Sequence, residues 1–203
     1  VDIYNPNCTR CELHTTRTQV VRGKGDLSSN ILGLGEAPGG EEDKAGVCFV
    51  GTAGKQLDEM LKYVGLSYGE WAPANMYIDN PIKCRPIIQG VGGRIKNGKP
   101  TAKQIQACDY FLCNLLNSMA PKLIICFGAI ASDIIWNKRH AETGIQIYWE
   151  RGKLFQWRNH MVLPLYHPAF FIYNPDKASD TWKHLNDNRT AIYKAIAGED
   201  ICE

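Results

Sequence analysis

What most constrains this chain is the alternation of short apolar runs with stretches of helical period. Four runs, Asn30 to Leu34, Asn75 to Ile78, Leu123 to Phe127 and Met161 to Leu165, have the length and the β-branched or aromatic content of buried strands. After Gly51, the residues Leu57, Met60, Leu61 and Val64 fall on one side of a helix that Gly65 would end. Pro100-Thr101 opens a second helix, with Thr101 as cap and Ile105, Cys108, Leu112, Leu115 and Met119 on one stripe. A third is expected from about Gly128 to Trp136, and a fourth, more polar one from about Lys177 to Ala197. Strands that alternate with helices argue for crossover connections and a mostly parallel sheet, and parallel strands need cover on both faces. The expected class is therefore α/β, a three-layer α/β/α domain around a central four-stranded, mostly parallel sheet.

That architecture says where to look for a site, because open parallel sheets bind ligands beyond the carboxyl ends of their strands. The first run is followed by Gly35-Glu36-Ala37-Pro38-Gly39, the second by Asp79-Asn80, the third by Gly128 and the fourth by Tyr166-His167-Pro168. A carboxylate, an amide and an imidazole would converge on one rim. Gln89 to Gly98, rich in glycine and basic residues, reads as a mobile insertion.

Length and composition set the bounds. With 203 residues, 44% of them hydrophobic, the chain suits one globular domain over residues 1–203. No stretch approaches the roughly 18 to 20 apolar residues of a membrane span, and no secretory leader opens the sequence, so an intracellular protein without a membrane partner is expected. Beginning on Val1, it reads as a processed product or a piece of something longer. A net charge of +2 does not announce a nucleic-acid binder. Basic residues do gather, at Arg17, Arg22 and Lys24 and again at Lys83, Arg85, Arg94, Lys96, Lys99 and Lys103. Such runs are usually a solvated face.

The chain has eight cysteines and no sign of secretion, which favours metal ligation plus buried thiols over disulfides. Cys8 and Cys11 form a C-x2-C pair able to grip a metal from a tight turn. Spacing alone does not choose their partners among Cys48, Cys84, Cys108, Cys113, Cys126 and Cys202. The loop Gly35 to Gly39 lacks the endings of a Walker loop and of a dinucleotide fingerprint. Glu41, Glu42 and Asp43 could supply a general base, a metal site or a solvated loop.

Together these segments carry a resemblance. The string GEAPGGEEDKAGVCFVGTAG from Gly35 to Gly54 resembles the signature of family 4, iron–sulfur uracil-DNA glycosylases. CTRCEL from Cys8, YIDNPIKCRP from Tyr77, PTAKQIQAC from Pro100 and YHPA from Tyr166 follow in the family's order. The resemblance implies a monofunctional glycosylase that flips uracil from single- or double-stranded DNA, hydrolyses its N-glycosidic bond and works as a monomer. It also implies a [4Fe-4S] cluster of structural role on Cys8, Cys11, Cys84 and Cys108, leaving Cys48, Cys113, Cys126 and Cys202 over.

By the same resemblance Phe49, otherwise a core aromatic, stacks on the flipped base. The Asn80 amide reads O4 and N3-H, both of which cytosine reverses in polarity. His167 donates to O2 as charge builds on the leaving base. Gly35, Ala37 and Gly39 shape the loop, Glu36 positions water or the cationic sugar, and Glu42 walls off the C5 side against thymine's methyl. His14, His140, His160 and His184 match nothing. Phe170 and Phe171 are candidate wedges into the vacated stack, and Lys83, Arg85, Arg94 and Lys96 candidate phosphate ligands.

The departures are as specific as the matches. Ala37 stands where better-known uracil glycosylases hold a water-positioning Asp, Cys48 where the family usually has proline, and Tyr173 where an arginine is common. Arg94-Ile95-Lys96-Asn97 lacks the histidine of relatives that become trapped on DNA, so ordinary turnover without a lasting adduct is expected. The alternative is a noncatalytic glycosylase-like DNA-binding module of a larger replication or repair protein. A zinc hydrolase fits less well, because four cysteines close the metal shell.

Overall fold

The computed structural model describes residues 2–137 and 150–201, so His140 and Cys202 lie outside the described residues. The strands are β1 (Lys24–Gly25), β2 (Ile31–Leu34), β3 (Tyr77–Asp79), β4 (Ile87–Gln89), β5 (Ile95–Asn97), β6 (Leu123–Phe127), β7 (Phe155–Trp157) and β8 (His160–Leu165). The helices are α1 (Gly40–Ala45), α2 (Thr52–Tyr63), α3 (Ala102–Met119), α4 (Ala129–Asn137), α5 (Phe170–Tyr173), α6 (Ala178–Asp187) and α7 (Arg189–Ala197).

A six-stranded sheet runs in the order β1-β3-β2-β6-β8-β7. Its four inner strands are the four expected runs and pair in parallel. The two edge strands, β1 and β7, pair antiparallel and widen the sheet beyond expectation. Two residues at Lys24–Gly25 and a half-polar Phe155–Trp157 carry too little apolar pattern to announce themselves.

Alternation along β6 shows how the layers form. Leu123, Ile125 and Phe127 point into a core made with Leu57, Met60 and Leu61 of α2, Leu185 of α6 and Ile192 of α7. Ile124 and Cys126 point into the opposite core, with Leu112, Leu115 and Leu116 of α3 and Ala131, Ile134 and Ile135 of α4. Helices thus cover both faces, and each fully buried aliphatic side chain contributes roughly 1.5–3 kcal/mol. A smaller third cluster joins Leu13, Val20 and Ile82 to Cys84 and Cys108.

The helix boundaries follow local chemistry. Thr101 caps α3 as expected: its hydroxyl accepts from the Gln104 N–H at 3.3 Å, and Gln104 Oε1 accepts from the Thr101 N–H at 2.9 Å. The polar stretch expected as one helix is two, α6 and α7, broken at Asn188, whose side chain bonds the carbonyls of Gly152 and His184 at 2.9 and 2.7 Å. The expected mobile insertion is instead an antiparallel hairpin, β4 with β5. Among the described residues no helix is long and apolar enough to cross a membrane.

Candidate functional site

The carboxyl ends of the inner strands surround a cavity of about 300 Å³. Ala37, Gly39 and Glu42 line it after β2, Phe49 just before α2, Ala53 in the first turn of α2, Asn80 after β3, and His167 after β8. The sheet therefore brings together residues up to about 130 positions apart, as the rim rule requires.

Phe49 is held in a costly conformation. Its φ is +53°, the left-handed region, and a Cβ on Gly54 would lie 2.1 Å from its carbonyl oxygen. Only glycine at 54 permits that turn. The Phe49 ring lies 6.3 Å from the His167 ring at 27°, and edge-on to Phe127 at 6.4 Å. Gly35 is required for a similar reason: a Cβ there would lie 2.3 Å from Asn80 Oδ1 and 2.6 Å from Phe49 Cζ. The side chain of Asn80 is buried and makes no hydrogen bond among the described residues. Its orientation comes from its backbone, whose N–H donates to Asp79 Oδ1 at 2.8 Å.

His167 presents one defined tautomer. The Ala169 N–H donates to its Nδ1 at 3.2 Å, so in the neutral ring the proton sits on Nε2, a donor. Burial pushes its pKa down to about 4, against the opposing pull of the Glu42 carboxylate. Glu42 itself is a backbone clamp. Its Oε2 accepts from Gly39 N–H at 3.1 Å, and its Oε1 from Val50 and Gly51 N–H at 3.2 and 3.0 Å. The carboxylate ties the glycine-rich loop to the segment carrying Phe49.

Glu36 shares the loop but stands outside the lining of the cavity. It is half-buried, and burial raises its pKa while Lys99 lowers it. Asn97, which no motif marked, lines the cavity from the end of β5; its Oδ1 accepts from Arg85 Nε at 2.7 Å. Recognising it required knowing that the supposed insertion folds back as a hairpin. Of the proposed wedges, Phe171 is buried, whereas Phe170 is exposed and stacks parallel on Tyr166 at 4.7 Å. Tyr173 stands at the mouth, 83% exposed. Lys83 is buried in an ion pair with Asp79 and is in no position to hold a phosphate, while Arg94, Lys96 and Lys99 are exposed.

Cys84 and Cys108 form a second pole behind Asn80, with Cys8 and Cys11 packed against them. Arg17 Nη1 donates to the Cys8 carbonyl at 2.6 Å and lies 3.6 Å from Cys84 Sγ, and the Lys83 N–H bonds the Cys108 sulfur. Burial raises the thiol pKa of Cys84 to about 11 and lifts those of Cys11 and Cys108. Among the described residues no three His, Cys, Asp or Glu side chains converge on a single-ion site. The other described cysteines lie elsewhere: Cys48 and Cys126 are buried in the core, and Cys113 is half-buried on α3.

Comparison with known proteins matches residues 22–188 to the model of the uracil DNA glycosylase superfamily. The type-4 uracil-DNA glycosylase of Archaeoglobus fulgidus is 36% identical over 173 residues, 83% of this chain and 80% of that protein. That of Saccharolobus solfataricus is 34% identical over 199 residues, 96% of this chain and 84% of the other. The crystal structure of wild-type Pedobacter heparinus SMUG2 superposes with a TM-score of 0.53 at 16% identity, covering 85% of this chain and 77% of that one, which shows the shared fold.

Proposed function

The chain belongs to the uracil DNA glycosylase superfamily and resembles its type-4 members over most of its length, and from that premise we propose that it excises uracil from DNA, leaving an abasic site. The observation that carries this is the cavity at the sheet's rim, lined together by an aromatic ring (Phe49), an otherwise unbonded amide (Asn80) and an imidazole whose Nε2 is the donor (His167).

The flipped base stacks on Phe49, and Asn80 donates to O4 while accepting from N3-H. Cytosine would set donor against donor and acceptor against acceptor, a mismatch worth on the order of 10⁴-fold. As the bond from C1′ to N1 breaks, its electron pair moves onto the uracil ring, and the Nε2–H of His167 stabilises the charge at O2. A neutral ring suits this work, because it donates without having to surrender a proton. Water then adds to the cationic C1′, positioned by Glu36 from the edge of the loop, and its proton leaves to solvent and the departing base. Gly35, Ala37 and Gly39 keep the loop close to the base, and Glu42 acts by clamping that loop around the pocket.

Cys8, Cys11, Cys84 and Cys108 would hold the [4Fe-4S] cluster. Four thiols at one pole, with hydrogen bonds to the sulfurs of Cys84 and Cys108, suit that donor set. When bound, the cluster supplies a cross-link between the amino-terminal segment and the central loop. Uracil-containing DNA is the partner, the chain acts as one monomeric domain, and its place is wherever DNA is maintained inside the cell.

The test is incubation with a labelled oligonucleotide holding one uracil, followed by hot alkali. Strand cleavage at uracil and not at cytosine or thymine is expected, and His167→Ala should slow it by about 10²- to 10³-fold. A folded, cluster-loaded protein that cleaves neither single- nor double-stranded substrate would point to a noncatalytic binding module instead.

A further inference from the structure

Between the candidate base pocket and the cysteine pole lies a buried pair of charges, neither of which lines that pocket. Asp79 ends β3 and Lys83 lies four residues further on in the turn that follows; their side chains are 2% and 3% exposed and ion-paired with each other. Taking two charges out of water costs more than their attraction often returns, and apolar residues of similar volume can serve stability as well. The useful question is therefore what the pair positions. Oδ1 of Asp79 accepts the Asn80 backbone N–H at 2.8 Å, and the Asp79 carbonyl accepts the Gly35 N–H at 2.9 Å. One residue thus holds both the base reader and the glycine pressed against it. Lys83 is fixed from the other side: its carbonyl accepts from Val21 N–H at 2.8 Å, its own N–H bonds the Cys108 sulfur, and Cys84 follows it in sequence.

We propose that the buried Asp79–Lys83 pair is a positioning device for uracil recognition, fixing the direction of the Asn80 amide by tying the turn after β3 to the Cys84–Cys108 pole. It rests on the reading that uracil is the base bound. Because the Asn80 side chain makes no hydrogen bond among the described residues, its aim is only as good as the backbone beneath it. Asp79 and Lys83 are positioning residues, not catalytic ones: they act through Asn80. Loosening the pair should weaken uracil binding and turnover while leaving contacts to the rest of the DNA intact.

Asp79→Asn combined with Lys83→Met removes both charges at nearly constant volume and leaves no buried charge without its partner. Asp79→Glu keeps the pair but shifts the acceptor by one methylene. For each variant the readouts are inhibition by free uracil, kcat and KM on uracil-containing DNA, affinity for undamaged DNA, iron–sulfur absorbance and melting temperature. The expected result is free-uracil binding and kcat reduced by about 10- to 100-fold, a misplacement effect, with affinity for undamaged DNA and absorbance unchanged. If the double variant does not fold, Asp79→Glu decides the matter by the same readouts. Folded variants that bind and excise uracil like the wild type would reduce the pair to a structural role. A wild-type chain that excises no uracil would sink the proposed function and this inference with it.

Discussion

The protonation states of two side chains set what can be seen at the residue scale. His167 titrates near 4, well below the ordinary imidazole value, so the neutral Nε2–H donor is in place throughout the neutral range. It gives no limb to the rate profile there. Glu36 is displaced the other way: burial raises its pKa above the usual carboxylate value. If its carboxylate positions the water, kcat should rise as pH increases through that raised pKa and level off above it. Glu36→Gln is expected to slow cleavage strongly, by roughly 10²-fold or more, to flatten that acid limb, and to leave DNA binding nearly intact. Measuring kcat against pH for both proteins checks it, and an acid limb that survives in the variant would remove Glu36 from the mechanism. Gly35, Phe49, Asn80 and His167 were all nominated by motif. Asn97 was not, because a lone asparagine beside a glycine in a basic stretch has nothing in sequence to separate it from a turn.

At the scale of elements, α3 carries more than its share. It spans 18 residues, packs Leu112, Leu115 and Leu116 against the sheet, and delivers Cys108 to the cysteine pole. Its first turn is secured by the reciprocal bonds of Thr101 and Gln104, and Gln104 Nε2 also reaches Glu12 beside the C-x2-C pair at 2.8 Å. Thr101→Ala should cost about 1 kcal/mol in denaturant unfolding, with little change in kcat because the cap lies away from the cavity. The pattern of α3 was readable from its stripe and cap. The hairpin was not: Ile88 and Ile95 are exposed, so no buried face imposes a strand pattern on it. The break at Asn188 was equally hidden, because it is made by bonds to Gly152 and His184 that sequence spacing does not reveal.

For the whole molecule, charge placement matters more than charge total. The net charge is only +2, yet Arg94, Lys96 and Lys99 are exposed on and beside the hairpin, which carries Asn97 to the cavity. Lys83 and Lys24 are spent internally, the first on Asp79 and the second on Glu70. With about two or three phosphates neutralised, the affinity for DNA should fall with a log–log salt slope of about −2 to −3. Binding isotherms across a salt series test this, and a slope near zero would move the DNA path away from the hairpin.

The sequence by itself determined the α/β class, the four inner strands, the cap of α3 and the order of motifs along the rim. These follow from short-range periodicity and from strings long enough to mark a family. Tertiary structure decided the rest: the two edge strands, the hairpin and its Asn97, the burial of Lys83 against Asp79, and the clamping role of Glu42. Each depends on which distant backbone groups a side chain meets once the sheet has closed. A hydrogen bond or ion pair formed across the fold leaves no period in the chain that makes it.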